Sequence, residues 1–123
     1  MRIYVTHSKY FDFRKELYSP LRNSSLNSLH EIVLSHEKSD ELFSSKDFIP
    51  TCDVIIAEVS LRSTGQGIEL GWANAANVPI ICIYKQGTKP AGSLKAVSNI
   101  FLEYEDREKM IQKIEEVLTK IKT

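Results

Sequence analysis

Asp53-Val54-Ile55-Ile56-Ala57-Glu58-Val59 is a nearly continuous apolar run, and Ser60-Leu61-Arg62-Ser63-Thr64-Gly65-Gln66-Gly67 follows it directly. A strand buried on both faces needs apolar side chains at every position, so the run reads as the middle of a covered sheet. The Ser/Thr/Gly stretch at 60–67 reads as a loop, and a helix is expected from about Ile68 to Asn77. Pro79-Ile80-Ile81-Cys82-Ile83-Tyr84 is a second covered strand. A strand, a helix and another covered strand in that order imply a parallel sheet sandwiched between helices.

The flanks repeat the alternation. Arg2 to Thr6 is β-branched and aromatic and reads as a strand, as does Ile32 to Leu34. Between them, Phe13, Leu17, Leu21 and Leu29 recur at roughly helical spacing, with Pro20 and the Asn23–Ser25 cluster bending or dividing the helix. A modest helix over 39–50 has Ser39 as its N-cap and Pro50 as its end. After a Gly/Pro-rich loop at 86–92 and a short helical turn come a last strand near 99–104 and an amphipathic helix over 105–121. That helix turns Met110, Ile111, Ile114, Val117, Leu118 and Ile121 inward. The expected fold is a three-layer, doubly wound α/β domain over residues 1–123, with five parallel strands in a flavodoxin-like, Rossmann-like order.

Composition narrows the function classes. Of 123 residues, 42% are apolar and 26% charged, and one core suffices at this size. Sixteen Lys and Arg balance sixteen Asp and Glu, which argues against a general nucleic-acid or membrane-surface binder. No apolar run is long enough to span a bilayer and no signal-peptide pattern is visible, so a cytoplasmic location is expected. Cys52 and Cys82 sit in apolar runs and read as small core residues. No pair of His and Cys has zinc-type spacing, and neither a metal nor an organic cofactor is implied.

In open α/β sheets, ligands bind beyond the carboxyl ends of the strands. Three loops are expected at that edge: Thr6–Asp12, Ser60–Gly67 and Lys85–Gly92. In the second, Gly65 and Gly67 let the backbone turn tightly and approach a ligand. Glu69 is expected in the first turn of the following helix, where the helix dipole favours negative charge and so suits a nucleophile. Spacing alone favours the plainer reading, a carboxylate that merely complements that dipole.

Val54 to Ser60 together with Ser63-Thr64-Gly65-Gln66-Gly67-Ile68-Glu69-Leu70-Gly71-Trp72-Ala73 resembles the nucleoside 2-deoxyribosyltransferase family, most of all its 2′-deoxynucleoside 5′-phosphate N-hydrolase branch. The likeness extends over nearly the whole chain, and the Ser-x-Gly-x-Gly-x-Glu-Leu-Gly element is its specific part. The resemblance implies that Glu69 attacks the anomeric carbon to form a glycosyl ester, which water then resolves. It implies that Tyr4 orients the Glu69 carboxylate. Ser63 stands where transferases acting on free nucleosides carry an acid; a hydroxyl there suits a 5′-phosphate, which an acid would repel. Ser8 matches a phosphate-binding serine of the first loop, and Ser93 one supplied by a neighbouring subunit, so a homodimer is implied.

Two places depart from the family pattern. The Asp that handles the leaving base falls at Ser45 here, and Asp47, two residues on, is the candidate replacement. The first loop is bulky and aromatic rather than Gly-rich, with Lys9 or Arg14 as candidate phosphate charges and Tyr10 or Phe11 as candidate base-stacking rings. His36 is expected as a capped surface histidine or a pocket residue, Glu58 as a pocket carboxylate or a buried ion-pair member, and Trp72 at a helix or dimer contact. The expected function is hydrolysis of a (deoxy)nucleoside 5′-monophosphate to free base and sugar 5-phosphate. The alternatives are a nucleoside deoxyribosyltransferase and a non-catalytic nucleotide-binding or sensing domain.

Overall fold

In the computed structural model, which describes residues 1–37 and 45–121, the strands are β1 (Arg2–His7), β2 (Glu31–Leu34), β3 (Val54–Glu58), β4 (Ile80–Lys85) and β5 (Ile100–Tyr104). All neighbouring strands pair in parallel, in the order β2-β1-β3-β4-β5. The expected flavodoxin-like α/β order is therefore the observed one. β3 lies in the middle, with all five of its residues buried.

The side-chain period of two splits the core into two layers. Ile3, Val5, Val54, Ile56, Ile81 and Ile83 face one side, packing with α4 (Arg107–Ile121) through Met110, Ile114 and Leu118, and with Leu17 and Leu21. Tyr4, Ile55, Ala57, Ile80 and Cys82 face the other side, against Leu70 and Ala73 of α3 (Thr64–Ala75). Both cysteines are free and buried in this second layer, as small core residues.

The chain between β1 and β2 is more broken than the spacing suggests. A single π-helical turn (Arg14–Tyr18) runs straight into α1 (Ser19–Arg22), the chain breaks at Asn23, and α2 (Ser25–Leu29) restarts with the Ser24 hydroxyl accepting from the Leu26 N–H. The restart resets the helical phase, so Leu26 is buried while Leu29, expected on the inner face, is 67% exposed. The expected 39–50 helix, with its Ser39 cap, falls mostly outside the described residues. Its described end is a turn closing in a 3-10 helix over Ile49–Thr51.

α3 begins earlier than expected. Ser63 is its N-cap, its hydroxyl accepting from the Gln66 N–H, so Thr64 to Gly67 are helical rather than loop. Gly65 and Gly67 therefore do not form a tight turn; the only glycine with positive φ is Gly87. At the other end, Asn77 takes the left-handed conformation (φ 60°), and Val78 N–H donates to the Ala73 carbonyl at 2.9 Å, closing the helix.

Candidate active site

Parallel strands all deliver their carboxyl ends to one edge. Tyr4 and Thr6, two apart on β1, point from the same face of the sheet towards α3. Glu69 is the sixth residue of α3, in its second turn rather than its first, so the dipole acts on it less than expected. Hydroxyl groups hold it instead. Tyr4 Oη donates to Glu69 Oε2 at 2.5 Å, Ser45 Oγ donates to the same oxygen at 2.5 Å, and Thr6 Oγ1 donates to Oε1 at 2.6 Å. Burial, followed by the charge of Glu69, pushes the Tyr4 phenol well above its ordinary value, so Tyr4 remains a donor.

Behind the carboxylate, Gln66 joins the helix to the sheet. Its side chain is 5% exposed, and Nε2 donates to the carbonyls of Thr6 (3.2 Å) and Glu58 (2.8 Å). Both partners are carbonyls, so the amide orientation is forced by the contacts. Glu58 lies in a separate buried network, accepting from the Ser60 N–H (2.7 Å), the Ser60 hydroxyl (2.9 Å) and the Tyr104 hydroxyl. Burial raises its carboxyl above the ordinary value. It is thus neither an ion-pair member nor a wall of the cleft.

Glu69 opens into a cleft of about 770 Å³ whose walls include Lys9, Tyr10, His36, Lys46, Arg62 and Trp72. Among the described residues, three cations and one carboxylate line it, a positive balance that suits an anionic ligand. His7 forms part of the wall, stacked on Phe13 with ring centroids 4.3 Å apart. Burial lowers His7 to about 4, so the ring is neutral near pH 7. Its Nδ1 donates to the Ser8 carbonyl (3.0 Å), and Nε2 accepts from the Tyr18 hydroxyl (2.7 Å). A second hollow of about 500 Å³, between α1 and α4, contains none of the Glu69 cluster.

Comparison with known proteins points the same way. No protein-family profile matches the chain. A protein of Syntrophotalea carbinolica named "Putative 2′-deoxynucleoside 5′-phosphate N-hydrolase 1" is 34% identical over 64 residues, covering 50% of this chain and 45% of that protein. The solved structure of the Clostridium botulinum CMP N-glycosidase BcmB superposes with a TM-score of 0.67 at 25% identity, over 94% of this chain and 99% of that one. The chain resembles nucleotide N-glycosidases. The likeness to BcmB covers nearly the whole of both chains, whereas the stretch shared with the N-hydrolase relative is less than half of that relative's length.

Within this N-glycosidase-like fold, the residues expected at the site divide into two groups. Tyr4, Ser63, Gly65 and Glu69 line the cleft. Gly67, two residues from both Gly65 and Glu69, falls on the opposite side of α3, outside the lining. Ser8 is buried, its hydroxyl accepting from the Tyr10 N–H at 3.2 Å, and does not face the cleft. Asp47 is exposed and away from it, and Ser93 is exposed on a 3-10 turn (Gly92–Ala96). Of the first-loop candidates, Lys9 and Tyr10 reach the cleft, while Arg14 donates to the Glu37 carbonyl (3.4 Å) and Phe11 packs on the α4 side. His36 and Trp72 line the cleft. Thr6, Ser45 as a donor, Lys46 and Arg62 were not singled out by sequence. Only Ser63 to Gln66 carried a usable signal, the Ser-x-x-Gln pattern of a capped helix start.

Proposed function

We propose that this chain hydrolyses the N-glycosidic bond of a nucleoside 5′-monophosphate, releasing the free base and a sugar 5-phosphate, with Glu69 as the nucleophile. The observation that carries the reading is the Glu69 carboxylate, oriented by three hydroxyl donors at the mouth of a cleft whose other charged walls, among the described residues, are cationic. An anchored carboxylate is what capture of an oxocarbenium-like sugar requires, since the reacting oxygen must be placed before the bond breaks. Lys9, Lys46 and Arg62 supply charge for the phosphate, and Ser63 a hydroxyl beside the start of α3. Among the described residues no carboxyl besides Glu69 lines the cleft, and under this proposal the departing base takes its proton from water. Asp47 is assigned no step.

A homodimer belongs to the same proposal, with Ser93 of one copy reaching the cleft of the other. Gly65, Gly67 and Gly71 lie inside α3, where each costs about 1 kcal/mol relative to Ala. A Cβ at any of them would meet nothing within 4 Å in this chain. Gly65 faces the cleft, whereas Gly67 and Gly71, four apart and outside its lining, leave one face of α3 smooth, which fits a second copy packing there.

The test is a panel of ribo- and deoxyribonucleoside 5′-monophosphates, with free base followed by chromatography. Release by the wild type and a loss on the order of 10³-fold or more in Glu69→Ala is the expected outcome. Ser45, standing where an acid is expected, favours one other reading: a nucleotide-binding domain without turnover. Saturable binding with no base released would select it.

A further inference from the structure

The two oxygens of Glu69 are not equivalent. Oε2 accepts from both Tyr4 and Ser45, each at 2.5 Å, whereas Oε1 accepts from Thr6 alone at 2.6 Å. A carboxylate oxygen offers two in-plane lone-pair directions, so Oε2 is filled and Oε1 keeps one open. We infer that Oε1 is the atom that bonds to the anomeric carbon, and that Ser45 is a positioning residue that shortens the life of the resulting ester. This rests on the N-glycosidase reading above.

An Oε1 lone pair forms the bond to C1′ as the C1′–N bond breaks, and its electron pair leaves with the base, which takes a proton from water. A second water attacks C1′, the C1′–Oε1 pair returns to Glu69, and the proton released neutralises the hydroxide left by the first step. The sum is nucleotide plus water giving base plus sugar phosphate.

Hydrogen bonds to a charged acceptor are roughly twice as strong as those to a neutral one. In the free enzyme Oε2 shares the negative charge; in the ester it is a neutral carbonyl. The two hydroxyls on Oε2 therefore favour the carboxylate over the ester, slowing attack and speeding departure. Ser45 is 3% exposed and the contact is part-buried, so competing water reaches it only in part. A carboxylate at position 45 would repel Glu69; a hydroxyl instead steadies the anion that must be regenerated.

The experiment compares wild type, Ser45→Ala and Ser45→Thr by rapid quench with intact-protein mass, alongside steady-state kcat and KM for a nucleoside 5′-monophosphate that the wild type cleaves. Loss of one charge-assisted donor is expected to slow ester breakdown about tenfold. Ser45→Ala should then carry a sugar-phosphate adduct at higher occupancy than the wild type, with kcat and KM falling together. Ser45→Thr should restore both. Tyr4→Phe, which removes the other donor to Oε2, should shift adduct occupancy in the same direction, as should Thr6→Val, which removes the donor that steadies the charge returning to Oε1. A drop in kcat at constant KM with no adduct in either Ser45→Ala or Tyr4→Phe would overturn the assignment. Base release persisting in Glu69→Ala would instead overturn the nucleophile itself, and the role of Ser45 with it.

Discussion

His7 makes the stability of this protein depend on pH in a calculable way. The ring is 8% exposed, stacked on Phe13 and hydrogen-bonded at both nitrogens, and its value falls from the ordinary 6.5 to about 4 because burial penalises the cation. His36 and Arg14 add to the effect, while the Ser8 carbonyl and Glu69 oppose it. Above pH 6.5 the ring is neutral in both folded and unfolded chains. Between 6.5 and 4 the unfolded chain takes up a proton that the folded one refuses, so stability is lost as the pH falls; below 4 the loss stops. At 1.36 kcal/mol per unit, moving from pH 7 to pH 4.5 removes roughly 2 kcal/mol through this group alone. His7→Gln keeps a polar amide at the site but does not titrate. Urea unfolding of both proteins at the two pH values isolates the difference, since all other groups are shared. The wild type should lose roughly 2 kcal/mol more than the variant on acidification. Equal losses would refute the idea that His7 is buried neutral against Tyr18.

Two further outcomes follow from the geometry. Gln66→Leu removes the donor shared by the Thr6 and Glu58 carbonyls and should destabilise the fold by roughly 1–3 kcal/mol in urea unfolding; an unchanged midpoint would count against the bridge. Arg62→Ala should raise KM for a nucleoside 5′-monophosphate about tenfold at low salt and less at high salt, as a screened contact requires, while leaving binding of the unphosphorylated nucleoside unaffected in calorimetry.

The sheet was legible because its message is local. Five buried residues in a row at β3, and Ile80 to Ile83 in β4, admit few other readings. The start of α3 was not, because Gly65 and Gly67 count against helix while the capping contact that overrides them, Ser63 to Gln66, is a matter of geometry. Leu26 and Leu29 exchanged roles for a similar reason: one break at Asn23 changes the phase of everything after it. At the site, Glu69 could be picked out from its surrounding motif, but two of its three partners could not. Thr6 lies 63 residues away along the chain and Ser45 lies 24 away, and no periodicity connects them. Lys46 and Arg62 belong to no motif, and only the fold gathers them around one cleft.

The Gln66 bridge divides the work of the molecule between two kinds of scaffold. It fastens the helix bearing Glu69 to two central strands, so the cutting atom inherits the rigidity of the sheet. About half of the cleft's described wall comes from connecting segments, through residues such as Lys9, Tyr10, His36, Lys46 and Arg62. Rewriting those segments would let one architecture exchange its choice of base or sugar while the blade stays fixed. Ser45 is the exception, a loop residue with a hand on the blade, and through it a change in what is recognised would also alter how fast the cut is completed.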